Sequence, residues 1–180
     1  SEFKNYVLGL LFYRFLSEHE ELQIKELLKD DGISFAEAFK KEDYVQPITD
    51  WMIEANGYFI EPKYLFTSCI NLIEQEKFDV DYLNKAINSI TASTLGKKSE
   101  KLFENLFDDM DLTSSKLGRD VKSRSILIAK VMKSIDTIDF ELENTEIDVL
   151  GDAYEYLIGM YAATAGKKAG EFYTPQSVSK

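Results

Sequence analysis

The stretch "FKNYVLGLLFYRFL", residues 3–16, decides the fold. Phe3, Tyr6, Val7, Leu10, Leu11 and Phe15 recur at helical spacing, and Leu8, Phe12 and Leu16 widen the apolar stripe beyond one face. A helix with so broad an apolar surface is buried on more than one side, so other elements must wrap around it. The pattern is already running at Phe3, which implies a helix that starts upstream of Ser1.

Working outward, "ELQIKELLKDDG" (21–32) reads as a second, short helix stopped by Asp31-Gly32, and "SFAE" (34–37) fits a capping box. Pro47 fits the first turn of "PITDWMIEAN" (47–56), whose Asn56-Gly57 pair is a left-handed stop. "GYFIEPKYLF" (57–66) is the one stretch that reads as extended. Pro62 holds Glu61 away from helical angles, so the expectation is a short β-hairpin near residues 58–66. "LFTSCINLIEQEKF" (65–78), "DVDYLNKAINSITAST" (79–94, with Asp79 as its cap) and "EKLFENLF" (100–107) read as further helices. With only three prolines and nine glycines, and 44% hydrophobic and 13% aromatic residues, the chain is expected to be mainly α: a multi-helix domain with that single hairpin.

Charge narrows the function classes. The net charge is −11, which disfavours nonspecific attraction to nucleic acid or anionic membrane, so any DNA contact has to be local. There is no apolar run long enough for a membrane span and no signal-peptide pattern, and the expected location is the cytoplasm. One cysteine, Cys69, and one histidine, His19, make neither a disulfide nor a metal-ligand set. No P-loop, G-x-S-x-G or G-x-G pattern occurs, so no catalytic residue and no metal site is assigned.

Charge is segregated along the chain. "DDMDLTSSKLG" (108–118) is a polar loop, and "RDVKSRSILIAKVMKSI" (119–135) is a helix with five bases against one acid. Lys116, Arg119, Lys122, Arg124 and Lys130 are the candidates for a phosphate-facing or partner-facing surface, the alternative being the ordinary exposed face of an amphipathic helix. Residues 136–157 carry eight acids and no base, switching to helix near Asp148, without the spacing of a calcium loop. The chain closes on "GKKAGEFYTPQSVSK" (166–180), a glycine-bounded basic loop followed by a helix start at Thr174-Pro175. Two aromatics and Glu171 beside that cap have the chemistry to stack on an adenine-like ring and meet its amine, the alternative being a hydrophobic staple that fixes entry into the helix.

"GEFYTPQSVSK" resembles the segment that opens the catalytic domain of the modification (M) subunits of type I restriction-modification enzymes, adenine-N6 DNA methyltransferases. "YVLGLLFYRFLSEH", "GYFIEPKYLF", "LFDDMDLTSSKLG" and "DVLGDAYEYLIGMYAATAGKKAGEFYTP" look like successive blocks of that family's N-terminal helical region, in order along nearly the whole chain. The resemblance implies a helical N-terminal domain over residues 1–165, with 166–180 as the loop and first turn of a Rossmann-like methyltransferase domain, so that the chain stops where that domain begins. It implies S-adenosylmethionine as the cofactor of the parent protein, with Glu171, Phe172, Tyr173 and Thr174 on the cofactor side. The implied partners are a specificity (S) subunit, a restriction (R) subunit, a second M subunit and double-stranded DNA, with a base flipped out for methylation. The domain's own implied role is assembly with the S subunit and enclosure of DNA, which turns the surface of Lys116, Arg119, Lys122, Arg124 and Lys130 into a DNA-facing or subunit-facing one. The competing expectation is a free-standing acidic helical adaptor that binds protein partners.

Two signatures of the resembled family are missing from this sequence: its glycine-rich cofactor loop and its Asn-Pro-Pro-aromatic motif, since Gln46, Glu61 and Thr174 precede the three prolines. Without the glycine turn the backbone cannot approach the cofactor, and without the Asn the adenine amine is not held in line. The 180-residue chain is thus expected to bind S-adenosylmethionine poorly and to form no N6-methyladenine. Mass spectrometry of DNA digested after incubation with the chain and S-adenosylmethionine checks this, and a methylated product would overturn it.

Overall fold

The computed structural model describes residues 2–139. Its elements in order are α1 (Glu2–Leu27), α2 (Phe35–Ala38), α3 (Glu42–Asn56), a 3₁₀ turn (Pro62–Tyr64), α4 (Phe66–Glu74), α5 (Val80–Ser93), α6 (Glu100–Asp108) and α7 (Val121–Asp136). Helix α1 is the axis, with α2, α4, α6 and α7 packing on it and α5 bridging α6 and α7. Leu10, Leu11, Tyr13, Phe15 and Leu16 are fully buried around its circumference, as its apolar breadth requires. A smaller core forms at the far end of α1, where Ile24 and Leu28 meet Ala38, Ile48, Met52 and Phe59.

Several local signals fold as read. Ser34 and Glu37 make both bonds of the capping box. Gly57 ends α3 in the left-handed region at φ 81°, its N–H donating to the Ile53 carbonyl. Asp79 and Asp120 cap α5 and α7 by accepting from Tyr82 and Ser123.

Three expectations are corrected. The stretch 21–32 is not a separate helix: α1 runs unbroken to Leu27, because Glu20, Ile24 and Leu28 keep one face buried past the charged "SEHEE". The stop itself falls where read, in a turn that closes with Gly32 at φ 66° and its N–H on the Leu28 carbonyl. Pro47 lies inside α3, which starts at Glu42. Asp43 and Pro47 are both exposed, so the missing helical bond falls on the solvent side of the helix.

The third correction concerns the hairpin. Among the described residues there is no strand, and Tyr58–Glu61 is an extended strap that leads into the 3₁₀ turn. Its backbone donors are taken by side chains of the helices: Phe59 N–H by Ser93 Oγ (3.0 Å), Ile60 N–H by Glu20 Oε1 (2.8 Å) and, just beyond, Phe66 N–H by Ser17 Oγ (3.0 Å). Tyr58 donates its hydroxyl to the Leu16 carbonyl (2.8 Å), and Tyr13 donates to the Tyr64 carbonyl. With Ile60 and Phe66 tied to α1 and Phe59 to α5, these donors need no β partner.

Glu20 is fully buried, and its second carboxylate oxygen has no hydrogen-bond partner. Burial pushes its pKa well above the usual carboxyl range, an effect the Ile60 bond only partly offsets. The unfolded chain releases this proton near 4.5. The folded chain keeps it to higher pH, so the folded state binds more protons and stability falls as pH rises above that value. Glu20→Gln keeps an acceptor for Ile60 and cannot ionise. Urea unfolding between about pH 4.5 and 8 is expected to show a decline shallower by about 1–3 kcal/mol in the variant; parallel pH profiles for the two proteins would refute a protonated Glu20.

Candidate nucleic-acid and subunit interface

Helix α7 presents two different faces. Ile128, Val131, Met132 and Ile135 enter the core, and Ser125 is buried where its Oγ accepts the Val80 N–H (3.0 Å), fastening the start of α5 to the start of α7. At the other end, Arg14 donates to the Ile135 carbonyl (2.6 Å), a cation placed at the negative end of the helix. The outer face then carries Lys122, Ile126 and Lys130 at four-residue steps, all exposed, with Ile126 at 63%.

The loop before α7 is held as firmly. Met110, Leu112 and Leu117 are buried, and Tyr6 donates to the Asp111 carbonyl. Asp111 Oδ1 accepts from the Thr113 N–H (2.9 Å) and hydroxyl (2.6 Å), which lowers its pKa. Ser114 Oγ accepts from the Lys116 N–H (3.2 Å). These turns leave Lys116 and Arg119 exposed just ahead of Lys122.

The five predicted contact residues therefore divide. Lys116, Arg119 and Lys122 are exposed in succession along the loop and the first turn of α7, and Lys130 lies two turns along the same face as Lys122. Arg124 does not join them. It is half-buried and donates to the Gly118 carbonyl (3.4 Å), while its Nε is buried without a partner, so it braces the loop from inside. Lys133, lower on the helix, is paired with Glu74 (3.0 Å). Ile126 was missed by reading charge alone; its position midway between Lys122 and Lys130 is the signal that could have found it.

No catalytic arrangement emerges among the described residues. Cys69 is buried beside the Tyr13 hydroxyl (3.3 Å), and burial pushes its thiol up to about 11, which leaves it unreactive. The His19 ring stacks on Phe15 at 5.9 Å. No cluster of three potential metal ligands occurs among them, and no helix is long and apolar enough to cross a membrane. A groove of about 770 Å³ between the end of α1, α2 and the 3₁₀ turn is lined by apolar residues such as Leu22, Ile33, Phe35 and Leu65 together with the charged Glu18, Glu21, Lys25 and Lys29. The predicted cofactor-side residues, Glu171, Phe172, Tyr173 and Thr174, and the acidic block from Phe140 onward lie outside the described residues.

Residues 1–135 match the family model of the HsdM N-terminal domain, and residues 145–180 match that of the N-6 DNA methylase. The type I restriction enzyme MpnII methylase subunit of Mycoplasma pneumoniae is 37% identical over 99% of this chain and 34% of its own length. The MjaIX methylase subunit of Methanocaldococcus jannaschii is 25% identical over 99% of the chain and 30% of its own length. The crystal structure of a type I restriction-modification methyltransferase subunit from Streptococcus thermophilus superposes with a TM-score of 0.71 at 31% identity, over 98% of this chain and 37% of that one. The chain thus spans about a third of the length of the relatives it matches.

The loop that carries Lys116 and Arg119 depends on a close approach at Gly118. A Cβ there would lie 2.8 Å from the Arg124 backbone nitrogen and 2.8 Å from Ser123 Cβ. Gly118→Ala is expected to destabilise the domain by about 1–3 kcal/mol by overpacking against a helix backbone that cannot give way. Urea denaturation measures it, and an unchanged midpoint would show the loop free to move.

Proposed function

The chain belongs to the HsdM N-terminal domain family, the N-terminal region of type I restriction-modification methylase subunits, and on that premise we propose that it helps join its subunit to the specificity subunit and enclose DNA beside the methyltransferase domain. The match of residues 1–135 to that family carries the reading. The exposed cluster of Lys116, Arg119 and Lys122, with Lys130 further along α7, supports it, because it sets a local positive surface on an otherwise acidic chain.

In this reading the helical domain extends to about residue 165, and 166–180 begin the catalytic domain. The whole protein methylates adenine N6 in the cytoplasm, in a complex with specificity and restriction subunits and a second copy of itself. S-adenosylmethionine supplies the methyl group there, and Glu171, Phe172, Tyr173 and Thr174 border its pocket. The described helices take no part in the transfer. Their work is to hold a rigid surface against duplex or subunit, with Arg124 and Gly118 keeping the loop in place.

The double variant Arg119→Glu, Lys122→Glu in the assembled methylase complex tests the surface. Both side chains are exposed, so folding should be preserved. DNA affinity at low salt is expected to fall about tenfold or more, or assembly to weaken comparably, since two phosphate-seeking charges become repulsive. Unchanged affinity and unchanged assembly would remove this surface from the function.

A further inference from the structure

Acids make up 32 of the 180 residues, yet residues 82–99 contain none, and neither do residues 121–135. The second tract is α7. The first is nearly all of α5 with the turn that follows it, and the two helices are packed together and bonded through Val80 and Ser125. Along α5, Asn84, Lys85 and Asn88 are exposed, and the turn exposes Lys97 and Lys98. Lys85, Lys97 and Lys98 have no acidic partner among the described residues.

The turn is built to hold those lysines outward. Thr94 is buried with its hydroxyl on the Thr91 carbonyl (2.6 Å), and Ser99 donates to the Gly57 carbonyl. Glu100, the next acid along the chain, accepts the Gly96 N–H (3.4 Å). A surface of amides and of lysines without an ion pair among the described residues, on a helix packed against α7, matches the charge and hydrogen-bonding groups of a sugar-phosphate backbone.

We propose that the outer face of α5 and the α5–α6 turn, through Lys85, Asn88, Lys97 and Lys98, forms a second strip that contacts the phosphates of duplex DNA. The inference rests on the reading that this domain faces DNA, and it adds a contact surface that lies outside the loop and helix first assigned to that role.

The test is the salt dependence of affinity of the complete methylase complex for a fluorescent random-sequence duplex of about 40 base pairs. Three proteins are compared: the natural complex, Lys85→Gln/Lys97→Gln/Lys98→Gln, and Lys116→Gln/Arg119→Gln/Lys122→Gln. If the strip contacts phosphates, the first variant lowers the slope of log K against log salt by about 2 to 3, at about 0.9 per lost contact. An unchanged slope in that variant, with a reduced slope in the second, overturns this strip alone. Unchanged slopes in both overturn the strip and the DNA-facing reading together. Loss of subunit assembly without a change in slope would assign the face to an acidic protein partner and also overturn the proposal.

Discussion

The hydrogen bond between the buried carboxyl of Glu20 and the Ile60 N–H is the constraint on which the rest of the domain depends. It is one of a row along α1, with the Leu16 carbonyl and the Ser17 hydroxyl, that receives the strap from Tyr58 to Phe66. An extended segment buried among helices has backbone donors with nowhere to go, and each unpaired one costs about 1–3 kcal/mol. Placing acceptors on the central helix solves that problem without a sheet. It also fixes where α3 must end and α4 must begin, so both cores are divided by the same strap: Tyr58 and Ile60 face the larger one and Phe59 the smaller.

The positive surface follows from the same axis. Arg14 and Tyr6 on α1 hold, respectively, the end of α7 and the loop that leads into it. With both ends tied, α7 has one rotation available, and Lys122, Ile126 and Lys130 point outward as a consequence. The backbone beneath that surface is therefore set by its contacts with α1. For the proposed phosphate contacts such a fixed backbone matters, because less freedom is lost on binding than from a mobile loop.

How much of the site was legible depends on what each residue's role requires. Exposed charge next to a capped helix is a local property, so the exposure of Lys116, Arg119, Lys122 and Lys130 could be read from the basic tract alone. Arg124 belongs to the same tract by sequence and to the interior by structure. What separates it from Lys122 is the approach of Gly118 to its backbone, a contact across six residues that charge counting does not register. The α5 face was passed over for a related reason: its signal is missing acids rather than abundant bases, and it gains meaning only because α5 lies against α7.

The sequence by itself determined the elements whose causes are local. The breadth of the apolar stripe in 3–16, the capping box at Ser34, the caps at Asp79 and Asp120 and the stop at Gly57 each involve residues within one or two turns, and the physical chemistry of those spacings is sufficient. The order of blocks along the chain likewise revealed the family. Only the tertiary structure decided the three points on which local reading went astray. Whether α1 breaks at residue 21 depends on what buries Glu20 and Ile24, whether Pro47 can sit inside α3 depends on which side faces water, and whether 58–66 pairs as a hairpin depends on the distant acceptors Ser17, Glu20 and Ser93. Those partners are between 34 and 49 residues away in the chain, and a backbone donor that is satisfied at such range leaves no mark in its own neighbourhood.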